Sequence, residues 1–228
     1  MIVSIHQPGY LPWLGFFKKI SASDVFVFLD DVQYEKNGWH NRNKIRTSDG
    51  SIWLTVPIRS SFGTLLKEVK IDNTSNWIEK HRKSIQINYS KAKHFKEFSS
   101  LLMPIYEKNF DLLVDINMQI IELLIKQLEI KTKTLFSSEL NISEKSSDRI
   151  LEICKKLGAT VYLSGALGRN YLNLTDFEKN GIEIQFQNFQ HPTYSQYYTP
   201  FLPNMGAIDL VYNEGPNSSK ILNDAKNF

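Results

Sequence analysis

The chain has 228 residues, 42% of them hydrophobic and 22% charged, with a formal net charge of +3 and a pI near 8.8. That length buries a substantial core and that composition is ordinary for a folded globular protein, which excludes a disordered chain. The mild basic excess suits a phosphorylated small molecule and is too weak, and too evenly spread, for a nucleic-acid binder.

In chain order, the β-branched run Ile2 to Ile5 predicts a strand that breaks at His6-Gln7-Pro8-Gly9-Tyr10. A helix with an aromatic face follows (Trp13, Phe16, Phe17, Ile20). Strand, interrupted loop and helix is the layout of an open α/β sheet, in which the loop leaving the strand faces the ligand crevice. Residues Val25 to Leu29 predict a second strand, ending in Asp30-Asp31. The β-rich runs 52–58 and 65–71 flank Ser60-Ser61-Phe62-Gly63 and predict a hairpin. Helices are expected at Trp77 to Ile87, His94 to Tyr106 and Leu112 to Leu128, the last with a 3.6-residue apolar period and Asp111 as its cap. Then come a strand at 134–138, a helix from Ser146 or Ser147 to Leu157 with Gly158 at its C′ position, and a strand at 160–165. A short helix near Thr175 to Lys179 and a fifth strand at 182–189 complete the pattern. The alternation predicts one α/β domain over residues 1–228, built on a mainly parallel open sheet with helices on both faces. Residues 40–128, a hairpin plus helices, read as an insertion between the second and third core strands.

The single cysteine, Cys154, lies on the apolar side of a helix pattern, which excludes an internal disulfide and a cysteine zinc site. No signal-peptide pattern opens the chain, and polar residues interrupt the most apolar stretch, 112–128. The expectation is a cytoplasmic protein with no membrane and no nucleic-acid partner; the oligomeric state is not legible.

In a parallel sheet the C-terminal strand ends share one edge. Here those ends are His6-Gln7, Asp30-Asp31 with Gln33, Ser137-Ser138 and Ser164-Gly165, a polar crevice with a base candidate, carboxylates and a glycine permitting close approach. Polar loop residues such as His6, Gln7, Asp30 and Asp31 also serve simply to satisfy turns and caps. The segment Trp39 to Arg46 packs Asn41 and Arg42 among further cations, types that suit sugar hydroxyls and phosphate oxygens, or else form a solvated charged loop. Near the end, His191, Tyr194 and Gln196 lie among prolines, either stacking on a sugar or base or packing an irregular tail. There is no GxGxxG, no GxxxxGK[ST] and no GxSxG, and the five histidines (6, 40, 81, 94, 191) lack paired-ligand spacing, so no built-in metal or cofactor is expected.

HQPGYLPWLGFFKKI, DDVQY, NRNKI, WLTVPI, YLSG and HPTYSQ followed by F-x-P-x-M-x-x-x-D together resemble the WbqC-like family over nearly the whole chain. That family occurs in gene clusters for O-antigen and other surface polysaccharides. The resemblance implies an amide-forming transfer of an aminoacyl (glycyl) or acyl group to the amine of a nucleotide-linked amino sugar. In that chemistry an imidazole of ordinary pKa is a suitable base. His6 is the first choice and His191 the second, with Asp30 orienting or charge-balancing the base. Backbone N–H groups near Ser164-Gly165 would hold the oxyanion, and Arg42 and Asn41 the diphosphate. Gln7, Tyr10, Gln33 and Gln196 complete the candidate substrate contacts. ATP or an activated acyl donor would be the co-substrate. The first helix also resembles the nucleotidyltransferase and pantothenate synthetase superfamily, which activates carboxylates or phosphates with ATP; its signature histidines are replaced here by Trp13 and Phe16. Two alternatives follow: an ATP-dependent ligase forming an acyl-adenylate, and a non-catalytic sugar-nucleotide binding or assembly protein.

Overall fold

The computed structural model describes residues 1–227. Strands β1 (Ile2–His6) and β2 (Val25–Phe28) flank helix α1 (Leu14–Ser21). Strands β3 (Arg42–Thr47) and β4 (Gly50–Thr55) form an antiparallel hairpin, and the short strands β5 (Ile58–Arg59) and β6 (Lys70–Ile71) pair with each other. Helices α2 (Trp77–Tyr89), α3 (Phe95–Tyr106) and α4 (Leu113–Gln127) follow. The alternation resumes with β7 (Lys133–Phe136), α5 (Ser146–Leu157), β8 (Val161–Ser164), α6 (Leu174–Lys179) and β9 (Glu183–Phe186). Helices α7 (Ile208–Glu214) and α8 (Ser218–Asp224) end the series.

The main sheet runs β7-β2-β1-β8-β9 with every neighbouring pair parallel. It is an α/β fold, as the alternation predicts. Numbered among themselves, its strands follow the order 3-2-1-4-5, with the reversal between β1 and β8. Side chains alternate across the sheet, and both faces are covered. Phe26 and Phe28 enter a cluster with Phe16, Phe17 and Ile20 of α1 and with Ile120 and Leu124 of α4. Val25 and Val27 enter the opposite cluster with Val3, Ile5, Ile153 and Phe177. Burial on both faces explains why β2 reads as a continuous apolar run. Cys154 lies in the second cluster, and burial pushes its thiol up to about 12, so it is an inert packing residue. Among the described residues no helix is long and apolar enough to cross a membrane.

The sequence misplaces two elements. The hairpin lies at 42–55 rather than at 52–58 paired with 65–71; only Ile58, with Arg59 just beyond the first run, pairs with Lys70–Ile71, and residues 66–68 form a 3-10 turn. The inward positions of β3 carry Asn43 and Arg46 as well as Ile45, so no apolar alternation marks it. Their polar groups are satisfied instead by carbonyls: Asn43 Nδ2 donates to Leu11 O at 2.6 Å, and the Arg46 guanidinium to the carbonyls of Thr47, Gly50 and Pro200. Helices α7 and α8 follow the proline-rich segment, where the sequence suggests no further element. Asp111 makes no side-chain cap to α4, whereas Gly158 ends α5 in the left-handed conformation (φ 71°), as expected of a C′ glycine.

Candidate functional site

The ladder between β1 and β8 covers Ile2, Val3 and Ser4 against Val161, Tyr162 and Leu163 and then stops. Ligands of open α/β sheets bind outside the carboxyl ends of the strands at such a reversal. A cleft of about 1170 Å³ opens at this place, lined among others by His6, Gln7, Trp13, Lys19, Arg149 and Gly165. That is ample for a nucleotide-sized ligand.

The loop from Gln7 to Trp13 is braced on several sides. Tyr10 N donates to His40 O, and Asn117 Nδ2 donates to the same carbonyl at 2.8 Å. Ala207 N donates to Pro12 O. A Cβ on Gly9 would sit 2.9 Å from Trp39 O, and one on Gly15 would fall 2.4 Å from the Trp13 ring. Both glycines are therefore imposed by close approach, one of the loop to the segment that leads into β3 and one of the Trp13 indole to the first turn of α1. Trp13 packs edge-on against Phe189, and both rings line the cleft.

His6 faces the cleft, exposed, with its ring edge-on to Phe16. Its Nδ1 lies 2.9 Å from Gln7 O. A carbonyl only accepts, so the neutral ring carries its proton on Nδ1 and leaves Nε2 as the acceptor. Desolvation by the surrounding walls, reinforced by the Lys19 ammonium, lowers the imidazole pKa to about 3, against a smaller upward pull from Gln7 O. The shift favours the neutral ring at physiological pH. The Gln7 side chain is fixed by His40, whose Nε2 lies 3.0 Å from Gln7 Oε1.

The structure brings His6, Gln7, Gln33 and Gly165 to one cleft. It does not bring Asp30 there. Asp30 faces a second cavity beside Asp115 and Phe136, and its carboxylate accepts from Ser138 N (3.0 Å) and Ser138 Oγ (2.7 Å), while Asp30 N donates to Ser137 Oγ, whose own proton goes to Asp31. That is a capping role. The neighbouring Asp31 lines the cleft instead and is ion-paired with Arg149. Ser164 is fully buried beneath Gly168, where an added Cβ would lie 2.0 Å from its Oγ, while Gly165 beside it has open space.

The remaining candidates lie elsewhere. Tyr10 is fully buried, its phenol bonded to His81 Nδ1 at 2.8 Å and to Tyr106. Asn41 is buried and held by Tyr34 and Val56 O. Arg42 donates to the carbonyls of Gly38 and Asn37 and lies 4.7 Å over the Trp53 ring, on the hairpin. His191 sits behind Phe189, with Nδ1 on Pro192 O and Nε2 buried without a partner among the described residues. Gln196 is clamped to Leu202 and the buried Asp209 carboxylate. Each of these serves packing or backbone satisfaction at its position.

Cleft residues that the sequence does not single out include Trp13 and Phe189 as walls, Arg149 and Lys19. Lys19 is only 2% exposed, donates from Nζ to Ile5 O at 2.9 Å, and has its pKa lowered to about 7 by burial. Its position three residues after Phe16, on the buried stripe of α1, was the available signal.

The model of the WbqC-like protein family matches residues 7–221 of this chain. The chain is similar to the uncharacterized protein Rv1507c of Mycobacterium tuberculosis, with 33% identity over 224 residues and 96% of each chain covered. No solved structure gives a significant match.

Proposed function

This chain belongs to the WbqC-like protein family, and we propose that it transfers an aminoacyl (glycyl) or acyl group to the amine of a nucleotide-linked amino sugar, forming an amide for surface-polysaccharide biosynthesis. The observation that carries this reading is the juxtaposition, in one cleft at the sheet reversal, of an aromatic wall and an imidazole whose Nδ1 is held by Gln7 O, leaving Nε2 to accept. Trp13 and Phe189 suit a base or sugar ring, and Gln7 and Gln33 suit its hydroxyls.

In this reading the amine nitrogen attacks the acyl carbonyl, a C–N bond forms, and the bond to the donor's leaving group breaks with its electron pair. The attacking nitrogen must lose a proton. His6 is too weak a base to deprotonate a ground-state ammonium, but Nε2 is open to the much more acidic N–H of the tetrahedral adduct. An activated acyl donor, or ATP with a carboxylate, is the co-substrate.

The strand order, shared with dinucleotide-binding halves, favours a second reading, an ATP-dependent ligase passing through an acyl-adenylate. One experiment addresses both. Purified protein is incubated with nucleotide-linked amino sugars, glycine, acyl donors and ATP, and product mass is followed. A glycyl or acyl increment on the sugar supports the transferase, and added AMP release supports the ligase. Binding with no mass change against every donor would overturn catalysis and leave a sugar-nucleotide binding protein.

A further inference from the structure

Lys19 occupies the notch that the sheet reversal creates. Along β1 the peptide groups of odd residues turn toward β8 and those of even residues toward β2: Val161 N donates to Met1 O, while Leu29 N donates to His6 O. The register Ile2↔Val161, Val3↔Tyr162, Ser4↔Leu163 makes Gly165 N–H the next partner of Ile5 O. Lys19 Nζ takes that carbonyl instead, at 2.9 Å. The two strands separate at this rung with an ammonium between them, at the floor of the cleft.

Such a group is costly. An ammonium has three donors and Ile5 O uses one. Burial accounts for the low pKa of Lys19, and no carboxylate among the described residues raises it. The cleft's nearest-lying acid by sequence, Asp31, is committed to Arg149. The titratable groups on the strands that bound the notch are His6 on β1 and Tyr162 on β8, and neither supplies a negative charge: His6 is neutral and burial pushes the Tyr162 phenol up. A lysine needed only to satisfy one carbonyl would be an expensive device where a neutral donor serves.

We propose that Lys19 is the oxyanion-receiving residue of the cleft, its ammonium binding a phosphate or carboxylate oxygen of the substrate. The proposal rests on the cleft being the substrate site. Binding has two consequences. Lys19 takes up a proton, because an anion beside it restores its pKa. The bound anion also offsets the charge that Lys19 gains, so this uptake adds no net repulsion against a proton on His6.

The test is calorimetric titration of the wild-type protein at pH 8 in buffers of different ionisation heat, with uridine diphosphate and pyrophosphate as phosphate probes and glycine and acetate as carboxylate probes. At pH 8 a lysine with pKa about 7 is roughly nine-tenths neutral, so binding is expected to take up close to one proton. The probe family that binds identifies the oxyanion. Lys19→Met is expected to melt at or above the wild-type temperature, to weaken that probe at least tenfold, and to abolish the proton uptake. Lys19→Gln, which keeps a donor for Ile5 O, is expected to behave in the same way.

A folded variant that binds the probe with wild-type affinity and proton uptake would overturn the proposal, as would a wild-type protein that binds none of the four probes. Acyl transfer with unchanged KM in Lys19→Met would overturn the inference and keep the proposed reaction. Proton-linked anion binding without acyl transfer would do the reverse.

Discussion

Gly15→Ala separates a glycine kept for a side chain from one merely tolerated in a helix. Gly15 has no left-handed φ and lies in the first turn of α1, so alanine suits the backbone and by helix propensity stabilises by up to about 1 kcal/mol. The obstacle is the Trp13 indole, 2.4 Å from the added Cβ at two ring atoms and 2.9 Å at a third. The ring cannot yield by a few tenths of an ångström; it must leave the wall. Trp13 is 37% exposed, so it covers on the order of 150 Å², worth about 4 kcal/mol if lost entirely and about 2 kcal/mol if half its contacts reform. The net expectation is destabilisation by about 1 kcal/mol, with weaker binding of any ligand that stacks on Trp13. In a Trp13→Ala background the same change has nothing to displace and is expected to stabilise. Urea denaturation of the four proteins gives the coupling as a double-mutant cycle. If Gly15→Ala stabilises equally in both backgrounds, the Trp13 ring does not rest on Gly15 and the account of this wall is wrong.

Three further outcomes bear on the site. His6→Ala is expected to lower turnover by roughly 10²–10⁴-fold with sugar-nucleotide binding nearly intact, and in the free protein the His6 ring resonances are expected to keep neutral shifts down to pH 5; a titration midpoint near 6.5 would refute the desolvated imidazole. Arg149→Met removes the ion partner of the half-buried Asp31 carboxylate, leaving it the Ser137 hydroxyl, and is expected to destabilise by about 1–3 kcal/mol. Adding Asp31→Asn should recover most of that loss in urea melts, and no recovery would mean that the contacts of Arg149 to Ile142 O and Glu144 O dominate. Arg42→Ala, which sequence alone marks as a phosphate contact, is expected to leave ligand affinity within twofold, since the guanidinium is held by hairpin carbonyls and the Trp53 ring; a tenfold loss would return it to the site.

What the sequence disclosed and what it withheld divide along one physical line. β2 is legible because Val25–Phe28 is apolar on both faces, and local composition suffices to announce a strand buried between two layers. β3 is not, because inward-facing Asn43 and Arg46 are satisfied by carbonyls of residues 11, 47, 50 and 200, two of them remote in the chain. The same limit governs the site. Strand ends identify the crevice, so His6, Gln7 and Gly165 are found by topology alone. Choosing between Asp30 and Asp31 requires knowing which face of the sheet carries which helix. Beyond Phe28 the alternation continues in phase, sending Asp30 with Phe26 and Phe28 toward α4 and Phe136, and Asp31 with Val25 and Val27 toward α5, where Arg149 waits. Lys19 shows the converse. Its neighbour Lys18 reaches out to Asn223 O, and only the phase of α1 turns one of two identical residues into the floor of the cleft. A charged residue on the apolar stripe of a helix that follows the first strand breaks local consistency, and such breaks gather where a protein keeps its chemistry.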